Sequence, residues 1–204
     1  MKIIEALIVL AIILVSMVLH ELAHGVVAYW LGDTTAKEDG RLTLNPLRHL
    51  DPYMSVVLPM LLYLIGAPVF GGAKPVPVNS HNLKGKEWGM ALVALSGPLM
   101  NFILAFLGFI VYRFAGYSEI AFQFVTINLG FMIFNLIPIP PLDGSRILYA
   151  IAPNGVRRVF ERLEQYGIML VYILVLFGGS LFLNGLITGG MAGIWQFFVF
   201  ITGS

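Results

Sequence analysis

The chain has 204 residues, 58% of them hydrophobic and only 11% charged, with a formal net charge of +1 and no cysteine. A soluble domain carries about a quarter charged residues, so this composition excludes an ordinary soluble protein and fits a polytopic membrane protein. With no basic stripe to neutralise phosphates, nucleic acid is excluded as a partner. Without thiolates, any metal must be held by nitrogen and oxygen ligands.

In chain order, Ile3–Leu31 is an apolar run long enough to span a bilayer with tilt. Lys2 ahead of it imitates a secretory signal, but no small-x-small cleavage site follows, so the run is read as a retained first transmembrane helix. "GDTTAKEDGRLTLNPLRHLDP" is rich in turn formers, and its alternating "RLTLNP" piece predicts a short β-like segment. Tyr53–Phe70 is a second apolar run, interrupted by Pro59. In "AKPVPVNSHNLKGKEW" the alternating prolines favour extended backbone. Trp88–Tyr112 and Ile120–Ile137 read as spans, and "PIPPLDGSRIL" breaks the chain after the second. "NGVRRVFERLEQY" mixes charges at helical spacing and predicts a surface helix, leading into a span from Tyr166 to Leu183. The terminal "GGMAGIWQFFVFITG" is apolar but short, which predicts an interfacial or partly inserted segment. The expected fold is an all-α polytopic helical bundle with five to six membrane segments in a single domain, 1–204. Its core is 1–150, and further membrane segments fill 151–204.

Basic residues fall into three loops: Lys37, Arg41 and Arg48; Lys74, Lys84 and Lys86; and Arg146, Arg157, Arg158 and Arg162. Loops rich in Lys and Arg stay cytoplasmic. All three share that face if Tyr53–Phe70 is re-entrant, and the bias vanishes if it is a kinked full span. The re-entrant alternative is preferred, in a multi-pass protein of the cell membrane. Oligomeric state is not readable.

His20 and His24, four residues apart on a helix, project from one face and can bind one ion. Glu21 lies beside them, able to reach a water without entering the ligand set. His-Glu-x-x-His on a helix is a zinc-hydrolase signature, and ionisable side chains inside an apolar helix need a reason of this kind. A catalytic zinc normally takes three protein ligands. Glu5 is too far along the helix, and Asp33, Glu38, Asp39 and Asp51 are expected to be solvated loop carboxylates. Asp143, in "NLIPIPPLDGSRIL", follows a proline-broken span and can face the histidines. It is also a good N-cap for "GSRIL", and the two roles are compatible. Asn135 and Asn101 are candidates for substrate or oxyanion hydrogen bonding, with interhelical bonding as the alternative. His49 and His81 are expected on the surface.

The ordered set "HELAH", "KPVPVN", "SGPLMN" and "NLIPIPPLDG" resembles the site-2 protease family of intramembrane zinc metalloproteases, over about His20 to Leu148. Among its members it is most similar to compact prokaryotic forms without PDZ or CBS domains. The resemblance implies one Zn2+ per chain held by His20, His24 and Asp143, with Glu21 as catalytic carboxylate and Asn135 near the substrate. It also implies that the β-like "RLTLNP" segment is membrane-associated, and that the substrate is a transmembrane protein or peptide, cut in or near its membrane segment. The alternatives are a membrane metal transporter or sensor, whose ionisable residues should be spread over several depths, and a non-catalytic relative that binds transmembrane helices.

Overall fold

In a computed structural model, the described residues are 2–57, 60, 61, 64, 72–178 and 183–203. Their helices are α1 (Lys2–Trp30), the single turn α2 (Thr35–Glu38), α3 (Glu87–Phe114), α4 (Glu119–Asn135), α5 (Asp143–Ile151), α6 (Asn154–Glu164), α7 (Gly167–Gly178) and α8 (Asn184–Thr202). Among the described residues three helical segments are long and apolar enough to cross a membrane: Ile3–Trp30, Glu87–Phe114 and Asn184–Thr202. Glu119–Asn135 and Gly167–Phe177 are shorter apolar helices. The alternatives for Tyr53–Phe70 lie mostly outside the described residues, which there include a π-helical turn, Pro52–Val57, and helical positions at Met60, Leu61 and Leu64.

Helix α3 is the central element, packing against α1, α4 and α5. Small residues permit the close approach: Gly108 of α3 faces the Phe124 ring of α4, where a Cβ would stand 2.7 Å from Phe124 Cδ1. Ala105, Phe109, Val125, Leu129 and Phe198 form one core among α3, α4 and α8. Ala28, Leu83 and Val93 join α1 to α3. The outer faces carry Leu7, Leu10, Leu99, Ile103 and Leu107 exposed, as suits a protein whose solvent is hydrocarbon.

The terminal segment is longer than the short piece expected. Its helix begins at Asn184 and runs 19 residues. Gly190 packs on Ile133 and Met191 on Gly130, so these glycines act as packing surfaces and not as breakers. Helix α8 runs antiparallel to α4 and ends where Arg113 Nη2 donates to Gly203 O at 2.6 Å.

The expected β-like segment also differs. No strand occurs among the described residues. Asn45 Oδ1 caps a 3-10 turn, Pro46–Arg48, which ends the extended run, and Leu50 and Ala73 form an isolated antiparallel bridge. The two polar loops, 31–50 and 72–86, instead knit together. Lys84 N donates to Leu31 O at 2.8 Å and Lys74 N to His49 O at 2.8 Å. Asp33 is fully buried, contrary to the expectation of a solvated carboxylate. It accepts from Asn79 N at 2.6 Å, Thr35 Oγ1 at 2.5 Å and Asn82 Nδ2 at 3.1 Å. Burial pushes the Asp33 carboxyl up, but the Thr35 hydroxyl and the Asn79 and Asn82 donors outweigh it and hold it below the usual carboxylate range. His49, expected on the surface, is likewise fully buried, with Nε2 donating to Thr43 O at 2.8 Å.

Candidate metal centre

Helix α1 presents His20 and His24 towards α3, one turn apart, with their Nε2 atoms 3.0 Å from each other. Asp143 opens α5 immediately after the proline turn, and its Oδ2 lies 3.3 Å from His20 Nε2 and 3.5 Å from His24 Nε2. All three residues are buried or nearly so. Asp143 does not cap α5 through its side chain; the cap position belongs to Leu142.

The hydrogen bonds around the histidines determine where their protons sit. Asn128 Nδ2 donates to Phe124 O at 2.8 Å, a carbonyl that can only accept, which fixes the orientation of that amide. Asn128 Oδ1 therefore accepts from Asn101 Nδ2 at 2.9 Å, and Asn101 Oδ1 faces His20 Nδ1 at 2.5 Å. His20 Nδ1 must be the donor. His24 Nδ1 donates to Val93 O at 2.7 Å. Both Nε2 atoms then carry lone pairs, pointing at each other and at a carboxylate oxygen with no hydrogen-bond partner of its own. The short Nε2–Nε2 approach is thus a hydrogen bond only if one ring gives up its Nδ1 proton or becomes imidazolium. Three converging lone pairs in a buried pocket fit a cation, and a nitrogen–nitrogen–oxygen set suits zinc.

Gly97 completes the cradle. A Cβ on this α3 residue would lie 2.5 Å from His24 Nε2 and 2.6 Å from His20 Nε2, so only glycine leaves the ligand face open. Among the described residues no other cluster of three potential ligands occurs.

The profile of Peptidase family M50 matches residues 113–178, which include Asp143. A Bacillus subtilis (strain 168) protein, "Putative zinc metalloprotease YwhC", is 42% identical over 175 residues, covering 79% of this chain and 77% of the relative. The chain belongs to Peptidase family M50. Two mycobacterial relatives named "Putative zinc metalloprotease Rip2" agree. The Mycolicibacterium smegmatis protein is 32% identical over 169 residues, and that of Mycobacterium tuberculosis (strain H37Rv) is 34% identical over 174 residues. Each alignment covers 80% of this chain but only 64% of the relative. No solved structure matches the chain. Peptidase family M50 is the site-2 protease family. The family match reaches Asp143 but not α1, so the histidine half rests on the geometry above.

The other candidates lie differently. Glu21 Oε2 accepts from Val76 N at 2.9 Å, in the "KPVPVN" segment. Asn101 is fully buried, with Oδ1 on His20 Nδ1 and Nδ2 donating to Asn128 Oδ1, so both contacts are interhelical. Asn135 Nδ2 bonds back to Phe131 O at 3.0 Å within its own helix. The sequence reading missed Asn128 and Ser16, joined at 2.9 Å. Their signal was available: both are polar residues inside apolar helices.

Proposed function

We propose that this chain is a zinc-dependent intramembrane endopeptidase, cutting peptide bonds in or near transmembrane segments of membrane proteins. The observation that carries the reading is the meeting of His20, His24 and Asp143, from segments more than a hundred residues apart, with three lone pairs aimed at one point. His20 and His24 would supply nitrogen ligands and Asp143 an oxygen. A bound zinc ion supplies the Lewis acidity that makes water a nucleophile near neutral pH and polarises a carbonyl.

The residues of this chain do the rest. Glu21, adjacent to the ligand pair, accepts a proton from the attacking water and delivers it to the nitrogen of the breaking C–N bond, so the products are a carboxylate and an amine. Asn101 keeps His20 in one tautomer. Asn135 stands on the exit of α4 towards the proline turn, and releasing its intrahelical bond would free an amide for substrate backbone.

The topology reading follows from contacts between loops. The first two basic loops are hydrogen-bonded to each other at 2.6–2.8 Å, whereas a single crossing by 53–70 would separate them by about 30 Å of hydrocarbon. Arg157 of the third basic loop pairs with Glu87, at the start of α3, at 3.9 Å. These contacts support one basic, cytoplasmic face with 53–70 re-entrant. Gly167 touches Pro141 and Leu183 packs with Ile137 and Leu142, so 166–183 also begins and ends beside one turn. Full crossings by α1, α3, α4 and α8 satisfy all these contacts.

The test is Glu21→Gln. It should bind one zinc per chain and lose turnover on a synthetic transmembrane peptide reconstituted with it, leaving at most a slow residual single-turnover cleavage. Wild-type cleavage by this variant would remove Glu21 from the mechanism. Metal flux into vesicles without cleavage by the unmodified protein would favour a transporter.

A further inference from the structure

We propose that Arg41 is a positioning residue for Glu21, acting through the peptide unit between Pro75 and Val76. The inference rests on the proposed role of Glu21. Arg41 is buried, only 6% exposed, and a guanidinium so placed demands partners. Among the described residues it finds backbone carbonyls, not a carboxylate: Nη2 donates to Lys74 O at 2.7 Å and to Pro75 O at 3.3 Å. The other end of the Pro75–Val76 peptide unit is Val76 N–H, which donates to Glu21 Oε2 at 2.9 Å. One rigid planar amide thus has its oxygen on a cation and its hydrogen on the carboxylate.

Three features make this a device for aiming Glu21. Pro75 and Pro77 lack N–H groups, so Val76 offers the single donor in that stretch, on backbone that the prolines hold extended. A charged donor on the carbonyl polarises the amide and strengthens its N–H as a donor. Finally, Gly25, one turn after Glu21 on the same face of α1, makes room for the segment. A Cβ there would stand 3.1 Å from Val76 Cγ1 and 2.5 Å from Leu42 Cδ2. The segment is secured on both sides, by Lys74 N on His49 O and by Asn79 N on Asp33.

The arrangement differs usefully from a direct Arg–Glu ion pair. A guanidinium fork would occupy both carboxylate oxygens. The relayed amide holds Oε2, while among the described residues Oε1 accepts no hydrogen bond and stays available to a proton. A charge fixed behind the peptide orients the base without competing for its working oxygen.

The experiment measures kcat, KM and zinc content on a reconstituted transmembrane peptide, using the full chain. Arg41→Ala and Val76→Pro should each lower kcat about 10- to 100-fold, the loss typical of a misaimed catalytic group, with KM and one zinc per chain retained. Arg41→Lys, which keeps a charged donor, should recover part of the loss. In a Glu21→Gln background, single-turnover cleavage should not fall further on adding Arg41→Ala, because the two act as one unit. Unchanged kcat in Val76→Pro, a change in KM alone, or an undiminished effect of Arg41→Ala without Glu21 would overturn the proposal. So would a rise in kcat, which would make the segment a latch. Should Arg41→Ala lose its zinc or its thermal transition, Val76→Pro decides, since it keeps the guanidinium. Wild-type cleavage by Glu21→Gln alone would instead defeat the reading of Glu21, a separate outcome.

Discussion

Gly97→Ala is the sharpest test of the metal centre, because it adds one methyl group and removes nothing. The new Cβ would stand 2.5 Å from His24 Nε2 and 2.6 Å from both His20 Nε2 and Cε1. Carbon–nitrogen contact settles near 3.4 Å or beyond, so the two rings or the α1–α3 spacing must give by about 1 Å. Metal ligands tolerate about 0.2 Å. The rings are not free to retreat, since His20 Nδ1 is tied to Asn101 and His24 Nδ1 to Val93 O. Overpacking costs about 1–3 kcal/mol of stability. Loss of ligand alignment should weaken zinc by about 100-fold or more, equivalent to about 2.7 kcal/mol, and cleavage should fall with occupancy. Chelator competition gives the affinity, and thermal unfolding with and without zinc gives the coupling. Gly108→Ala is the control: its Cβ would meet Phe124 at 2.7 Å, away from the ligands, so it should lower stability yet keep zinc affinity. A Gly97→Ala protein that binds zinc within about threefold of wild type would refute the assigned geometry.

Other outcomes follow from the same contacts. Asn128→Ala removes a group that touches no ligand, yet it unties Asn101 from its fixed orientation. Zinc affinity should drop about 10- to 100-fold, with about 1–3 kcal/mol lost from stability, both readable in one zinc titration of thermal unfolding. Asp33 has a carboxyl pKa below the ordinary value in the folded protein. The stability it contributes is therefore complete above about pH 4, its unfolded value, and is lost as pH falls through the lower folded value. Acid unfolding should show this step in wild type, and Asp33→Asn should abolish it while being less stable at pH 7.

Much of the fold could be read from apolar runs, because in lipid a helix satisfies its own backbone and hydropathy alone marks it. Helix α3 begins one residue before the expected Trp88, and α4 one before Ile120. The proline break in "PIPPLDG" correctly separated α4 from α5. What periodicity could not show was tertiary: Asp33 and His49 are buried only because two loops distant in sequence stack on each other. The terminal apolar run reads only from Gly189, whereas α8 begins at Asn184 and glycine in a membrane helix serves close packing. For the site, His20, Glu21 and His24 share a motif, and Asp143 emerged by comparing carboxylates for rigidity. Asn128 and Ser16 have no motif, and the Arg41–Val76–Glu21 link needs three segments folded together before it exists.

The distribution of satisfied and unsatisfied groups explains why an ionisable trio is tolerable inside an apolar helix. Ser16, Asn101 and Asn128 are fully buried, and each is hydrogen-bonded. Both histidine Nδ1 atoms are bonded as well. Four buried side-chain atoms lack a partner among the described residues: Arg41 Nε, His49 Nδ1, Arg113 Nε and Asp143 Oδ2. The three nitrogens belong to loops or to the last turn of α3. Only the oxygen lies between the helices, and it lies beside the two Nε2 lone pairs. The bundle therefore neutralises every polar group around the centre except the three that converge there. A desolvated, electron-rich point costs stability until a cation occupies it, so metal binding and folding of the α1–α3–α5 junction must be coupled. Zinc removal should consequently loosen that junction first, while the Phe109–Phe198 core, which shares no ligand, should hold. Hydrogen exchange that opened both together would show the centre to be less isolated than this packing requires.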